Sequence, residues 1–197
     1  MLSQVYEIQK DCGERVSGVV LMGSGEPLDN YENVLKFLRL INDRKGQNMG
    51  QRHITLSTCG LIDKIYELAE ENLQITLAVS LHAPNDGIRN SIMPISRANP
   101  MDTLLSACRA YAEKTKRRIT FEYAMMQGVN DSDACARELA GRLRHMLCHV
   151  NLIPVNDVKE RAFVKSSDER VRRFAAILQD NSVETTVRRR LGSDIDA

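Results

Sequence analysis

Polar side chains able to do chemistry recur at one kind of place in this sequence. They are Glu26 in Gly23-Ser24-Gly25-Glu26-Pro27, Ser57 in Ser57-Thr58-Cys59-Gly60, Ser80 and His82 in Ser80-Leu81-His82-Ala83-Pro84, Glu122 in Phe121-Glu122-Tyr123, and Asn156 in Pro154-Val155-Asn156. Each follows, or lies within, a short apolar run with the character of a buried strand. A carboxylate suits an ammonium group, serines suit a ribose or a carboxylate, and an amide suits the edge of a base. The set has little of the nucleophile, base and orienter pattern of covalent catalysis. It has much hydrogen-bonding capacity, and it points to a ligand that joins an amino acid to a nucleoside.

Each residue also has a plainer role open to it. Glu26 can satisfy the amides of its own tight turn. Ser57 and Ser80 can cap helices or form turns, and His82 can be a hydrogen-bonded structural residue. His145 and His149 stand four apart, but they lack a clear third partner for zinc. The basic run 114–118 and the triplet Arg188, Arg189 and Arg190 are, taken singly, solvated charge.

The elements that must position these residues alternate along the chain. A short helix over residues 2–11 carries Leu2, Val5 and Ile8, and a strand follows over 16–22. Pro27 is expected to keep the chain from turning directly into a helix. Asn30 can cap a helix with Tyr31, Val34, Leu35, Leu38 and Ile41 on one face. Strands are expected at 53–57, 75–80, 119–123, 150–153 and 183–187. Between them lie helical stripes through Ile65 and Leu68, Leu104 and Tyr111, Leu139 and Leu143, and Phe174 and Leu178. Asn99-Pro100 has the form of a cap with proline at the first helical position. Ser166 and Glu169 have the spacing of a capping box.

Crossovers of a dozen or more residues suit parallel strands, whereas hairpins need about two to five. The fold class is therefore α/β, with a parallel sheet that is open or curled into a barrel. In a parallel barrel the carboxyl ends of the strands converge on one mouth, where the polar residues stand. No linker, repeat or low-complexity tract interrupts residues 1–197, which are read as a single domain.

Composition narrows the function classes. The chain has 197 residues, no tryptophan and a net charge of +1, so it is no bulk polyanion binder and any nucleic-acid contact must be local. No apolar stretch approaches the ~20 residues that span a bilayer, and no secretion signal opens the chain. The five cysteines, at 12, 59, 108, 135 and 148, are scattered and never in a CxxC pattern. That pattern suits reduced thiols in a cytoplasmic protein and offers no metal motif. A phosphate-binding barrel enzyme is the weakest alternative, since no GxGxxG or Walker-type loop is present.

Taken together, several segments carry a family resemblance. They are Met22-Gly23-Ser24-Gly25-Glu26-Pro27-Leu28, Ser57-Thr58-Cys59-Gly60, Ser80-Leu81-His82-Ala83-Pro84-Asn85-Asp86, Gly128-Val129-Asn130-Asp131, Asn151-Leu152-Ile153-Pro154-Val155-Asn156 and Gly192-Ser193-Asp194-Ile195-Asp196-Ala197. With Phe121-Glu122-Tyr123 in its place before Gly128, they resemble in this order the radical S-adenosylmethionine (SAM) methyltransferases that modify adenine in ribosomal RNA, the RlmN/Cfr family, along essentially the whole chain. The resemblance implies a partial (β/α)6 barrel with SAM across its mouth. By motif position, Gly25 and Glu26 would hold the methionyl ammonium, and Ser57, Ser80, Leu81, His82 and Asn156 the rest of the cofactor. It implies methylation of an adenine carbon, C2 or, in the antibiotic-resistance branch, C8. The substrate would be 23S rRNA, with tRNA as a second one.

The departures from the family pattern carry expectations of their own. The family's CxxxCxxC motif, which ligates a [4Fe–4S] cluster, is absent, as are the accessory RNA-binding domain and the methyl-carrying cysteine. The chain is accordingly expected to be a fragment: an incomplete barrel lacking its first strand, inactive by itself, with no catalytic residue and no metal ligand of its own, and weak in SAM binding. An unpaired strand edge near residues 16–22 should pair with another copy. A non-catalytic RNA-binding fragment working through the two basic clusters is the alternative from a different class.

Overall fold

The computed structural model describes residues 1–155 and 163–188. Six strands form one sheet in chain order: β1 (Val19–Leu21), β2 (Ile54–Thr58), β3 (Thr76–Ser80), β4 (Ile119–Met125), β5 (Cys148–Pro154) and β6 (Glu184–Val187). Every neighbouring pair is parallel. Seven helices connect or flank them: α1 (Leu2–Cys12), α2 (Tyr31–Asn42), α3 (Ile62–Glu70), α4 (Asp86–Ile92), α5 (Met101–Thr115), α6 (Asp133–Leu143) and α7 (Asp168–Asp180). A strand order without reversal, joined by crossovers of one hand, puts the helices on one face of the sheet and leaves the other face open.

The strands show this division residue by residue. On β4, Ile119, Phe121, Tyr123 and Met125 are fully buried, while Thr120 and Ala124 between them are half-buried. On β5, Cys148, Val150 and Leu152 are buried, and His149, Asn151 and Ile153 alternate with them. The apolar set packs on the helices: the Tyr123 and Phe174 rings meet at 5.1 Å in a tilted arrangement. Leu56, Leu77, Val79 and Leu152 join Ile65, Leu104, Leu139 and Leu178 in one continuous core. Each such side chain, removed from water, contributes about 1.5–3 kcal/mol. The other face carries Thr55, Ser57, Thr76, Ser80, Thr120, Glu122, His149, Asn151 and Thr186. A parallel sheet covered on both faces would be apolar on both; this one is not.

The six expected strands are all present and parallel, as expected for a partial barrel. β1 is shorter than the predicted run, and Val20 at its centre is 61% exposed. Among the described residues β1 pairs only with β2, and β6 only with β5, so the sheet keeps two edges.

Three local expectations are corrected. Pro27 does not stop a helix: it opens a 3-10 turn over Pro27–Asn30 that runs straight into α2, with Glu26 as its cap. Proline is well placed there because its missing N–H falls where no helical partner exists. At α5 the proline itself occupies the cap position, and Asn99 instead turns its side-chain oxygen toward the amide of Ile62 at 3.4 Å. The cap of α7 is Ser167, whose Oγ accepts from the Arg170 amide at 3.2 Å. Ser166 is fully buried and donates to Asp131 Oδ2 at 2.8 Å.

Candidate functional site

Glu26 ties two strand ends together. Its Oε1 accepts from the Leu28 amide at 3.0 Å, inside its own turn, and its Oε2 accepts from the Cys59 amide at 2.7 Å, just beyond β2. Satisfying amides is thus part of what Glu26 does. An ionised carboxylate has about four lone-pair sites, so two amides leave capacity for a further cationic donor. Beside it, Gly25 has φ +103°, and a Cβ built there would meet nothing within 4 Å. That conformation favours glycine, and the space beyond the backbone is open.

Ser57 and Ser80 both stand on the open face. Ser57 is the register neighbour of Ala78, whose single methyl leaves room between the two serines, and Ser80 is the neighbour of Glu122. Leu81 is fully buried, main chain included, and its amide donates to the Glu122 carbonyl at 3.0 Å, so it braces the end of β3 against β4. His82 has φ +57°, and its amide also donates to the Glu122 carbonyl, at 3.2 Å. Its Nδ1 accepts from the Ala124 amide at 3.0 Å, which places the ring proton on Nε2. Burial, reinforced by the charge of Arg89, pulls its pKa down to about 4. A neutral imidazole with one donor suits a hydrogen bond to a ligand better than an ionic contact.

Two residues that hold this site were not singled out from sequence. Asn130 is fully buried; its Nδ2 donates to the carbonyls of His82 at 2.7 Å and Ala124 at 2.6 Å, and its Oδ1 accepts from the Met126 amide at 2.8 Å. It clamps the β3 loop to the end of β4. The signal was present in Gly128-Val129-Asn130-Asp131, but a turn asparagine gives no sign of which strand it will reach.

Arg89 on α4 is likewise fully buried. Its guanidinium donates to the carbonyls of Cys59 at 2.7 Å, Ser80 at 3.3 Å and Asn99 at 3.1 Å. Burial lowers its pKa, but a guanidinium keeps its charge inside proteins, so a cation lies beneath the ends of β2 and β3. Gly60 leaves room for it, because a Cβ there would lie 3.0 Å from Leu104 and 3.4 Å from the Arg89 Nη2. A lone arginine in a polar stretch carries no sequence signal of burial.

The Cys59 thiol is pushed up to about 12, first by burial and then by Glu26, so it is no nucleophile. Asn156, Arg189 and Arg190 lie outside the described residues. Of the basic run, Lys114 pairs with Glu70 and Arg118 with Glu184, which weakens the case for free nucleic-acid contacts there. No group of three or more His, Cys, Asp or Glu residues that could hold a metal occurs among the described residues. No described helix is long and apolar enough to cross a membrane.

Against this geometry stand the similarities to known proteins. The model of the radical SAM superfamily matches residues 2–139. A protein from Clostridium tetani named a probable dual-specificity RNA methyltransferase RlmN is 56% identical over all 197 residues, which cover 56% of its own length. One of the same name from Clostridium botulinum strain Alaska E43 is 58% identical, with 57% of it covered. The chain therefore spans little more than half the length of the curated relatives it matches. The crystal structure of a radical SAM methyltransferase from Sphaerobacter thermophilus superposes with a TM-score of 0.92 at 46% identity, over 98% of this chain and 57% of that one. A domain of pyruvate-formate lyase-activating enzyme from Bacteroides vulgatus superposes at 0.66 with 20% identity, over 88% of this chain and all of that one, a likeness of fold alone.

Proposed function

The chain belongs to the radical SAM superfamily, and on that premise we propose that residues 1–197 form the single SAM-binding core domain of a cytoplasmic RNA methyltransferase that modifies a carbon of adenine. The observation that carries this reading is the meeting of Glu26, Ser57, Ser80 and His82 at the carboxyl ends of three adjacent parallel strands, β1 to β3. Ligands of parallel α/β proteins bind at such ends.

The residues fit SAM. Glu26 keeps acceptor capacity for the methionyl ammonium beside the open backbone of Gly25. Ser57, Ser80 and the Nε2–H of His82 suit its ribose and carboxylate, and Asn156 its base. When bound, SAM supplies the methyl group and the radical precursor of the reaction. This chain's own residues orient it: Arg89 fixes the two serine-bearing strand ends, and Asn130 fixes the loop of His82.

The family's [4Fe–4S] cluster is a different case. The sequence has no CxxxCxxC, and the described residues bring no three ligands together. The 197 residues by themselves therefore bind SAM weakly and cleave none. The curated relatives are named as RNA methyltransferases; the activity proposed for this domain within a longer enzyme of their kind is C2 methylation of an adenine of 23S rRNA, and of tRNA.

The test joins binding to product analysis. Calorimetry with S-adenosylhomocysteine should give saturable binding that Glu26→Ala weakens by more than tenfold; no binding at millimolar ligand overturns the reading. After treatment with iron and sulfide, incubation with SAM, reductant and an rRNA fragment should yield neither deoxyadenosine nor methyladenosine. Cluster absorbance with deoxyadenosine would overturn the claim of inactivity, and 8-methyladenosine the claim of C2.

A further inference from the structure

The open face continues past the SAM half of the mouth. Ser80 on β3, Glu122 on β4, Asn151 on β5 and Thr186 on β6 are successive register neighbours and form one polar row across four strands. Asn151 Nδ2 donates to Glu122 Oε2 at 2.8 Å. The Thr186 hydroxyl lies 3.4 Å from Asn151 Oδ1 and 2.9 Å from His149 Nε2. None of these residues beyond Ser80 is used in holding SAM as argued above.

Glu122 is the centre of the row. It is 6% exposed, and its Oε2 accepts from the Asn151 amide. A carboxyl group taken out of water wants every oxygen occupied. Its near surroundings on the row are neutral: an amide, a hydroxyl and an imidazole, with Arg188 acting on it through charge alone. Burial holds its pKa above the ordinary carboxylate range, and the Asn151 amide beside it adds a donor to its acceptor oxygens. A group offering an acceptor beside a donor is what an adenine edge meets, since adenine presents an amine donor next to a ring-nitrogen acceptor. An unstacked base is recognised through such edges.

We propose that the Glu122–Asn151 pair is the subsite that recognises an adenine edge, with Glu122 Oε1 accepting from the exocyclic amine. The inference rests on the reading of the chain as a SAM-dependent RNA methyltransferase core. Adenine occurs in both of that reaction's partners, in the adenosyl group of the cofactor and in the RNA, and the chemistry at Glu122 is the same for either.

Binding of two probes to the whole chain tests it: S-adenosylhomocysteine and a short single-stranded RNA with one adenine. Each is compared with its counterpart in which purine, without the amine, replaces adenine. The wild-type chain should prefer the adenine form of one probe by about tenfold. Glu122→Ala should abolish that preference and change binding of the purine form less than twofold. Glu122→Gln keeps the bond from Asn151 and the side-chain volume, so it guards against a folding defect; it turns an NH2 group outward and should abolish the preference too. A preference carried by the RNA probe assigns the subsite to the substrate base, and one carried by S-adenosylhomocysteine assigns it to the cofactor. A preference that survives both substitutions, or no preference in the wild-type chain for either probe, overturns the proposal. Failure of the underlying functional reading shows separately, as no binding of S-adenosylhomocysteine in either form.

Discussion

The carboxylate of Glu26 and the backbone amide of Cys59 lie 2.7 Å apart, joining the turn after β1 to the turn after β2 across 33 positions of sequence. The same side chain reaches the Leu28 amide at 3.0 Å, so one residue sets the geometry of two strand ends. Both partners are N–H donors. Glu26→Gln keeps the shape but must turn its NH2 group toward one of them, leaving a donor facing a donor. The substitution should cost about 1–3 kcal/mol of stability, read from the midpoint of urea unfolding. An unchanged midpoint would show that the two bonds are dispensable.

Arg89 should matter as much from below. Glu26 meets amides; Arg89 meets the carbonyls of Cys59, Ser80 and Asn99. Arg89→Met removes the buried charge but leaves three carbonyls without that donor, and a loss of roughly 3 kcal/mol is expected. Arg89→Lys keeps the charge yet cannot fork to three acceptors, and should recover only part of the loss. Full recovery by lysine would mean that the charge, rather than its geometry, holds the strand ends.

His82 predicts an acid-side loss of stability. Its folded pKa is about 4, below the ordinary 6.5, so between these values the unfolded chain binds the proton and the folded chain does not. Stability from this group is whole above about pH 6.5, falls as the pH drops, and is spent near pH 4, a change of about 3 kcal/mol. His82→Asn tolerates the positive φ and should flatten the curve over that window. Unfolding followed by circular dichroism from pH 7 to pH 4 checks this; equal slopes in the two proteins would rule the histidine out.

The free edge of β1 predicts association. Val20 is 61% exposed on a strand that pairs on one side only among the described residues. Light scattering at tens of micromolar should find species larger than one chain, and Val20→Lys should shift them toward monomer, since an edge lysine discourages pairing. A monodisperse monomer in the unsubstituted protein would count against it.

What the sequence by itself determined was periodic or local. The alternation of strands and helices, the parallel sheet and the strand-end positions of Glu26, Ser57, Ser80 and His82 follow from spacing, and spacing is carried by neighbours in the chain. The ordered segments around them were enough to carry the family resemblance. Tertiary structure alone decided the rest. It placed Glu122, Asn151 and Thr186 in one row, because register is set between strands and no single strand encodes it. It buried Arg89, because three carbonyls from separate segments converge on it, and nothing in a polar stretch foretells their meeting. It also gave Glu26 two amide partners at once, one local and one 33 positions away. The turn chemistry announced the first; only folding could supply the second.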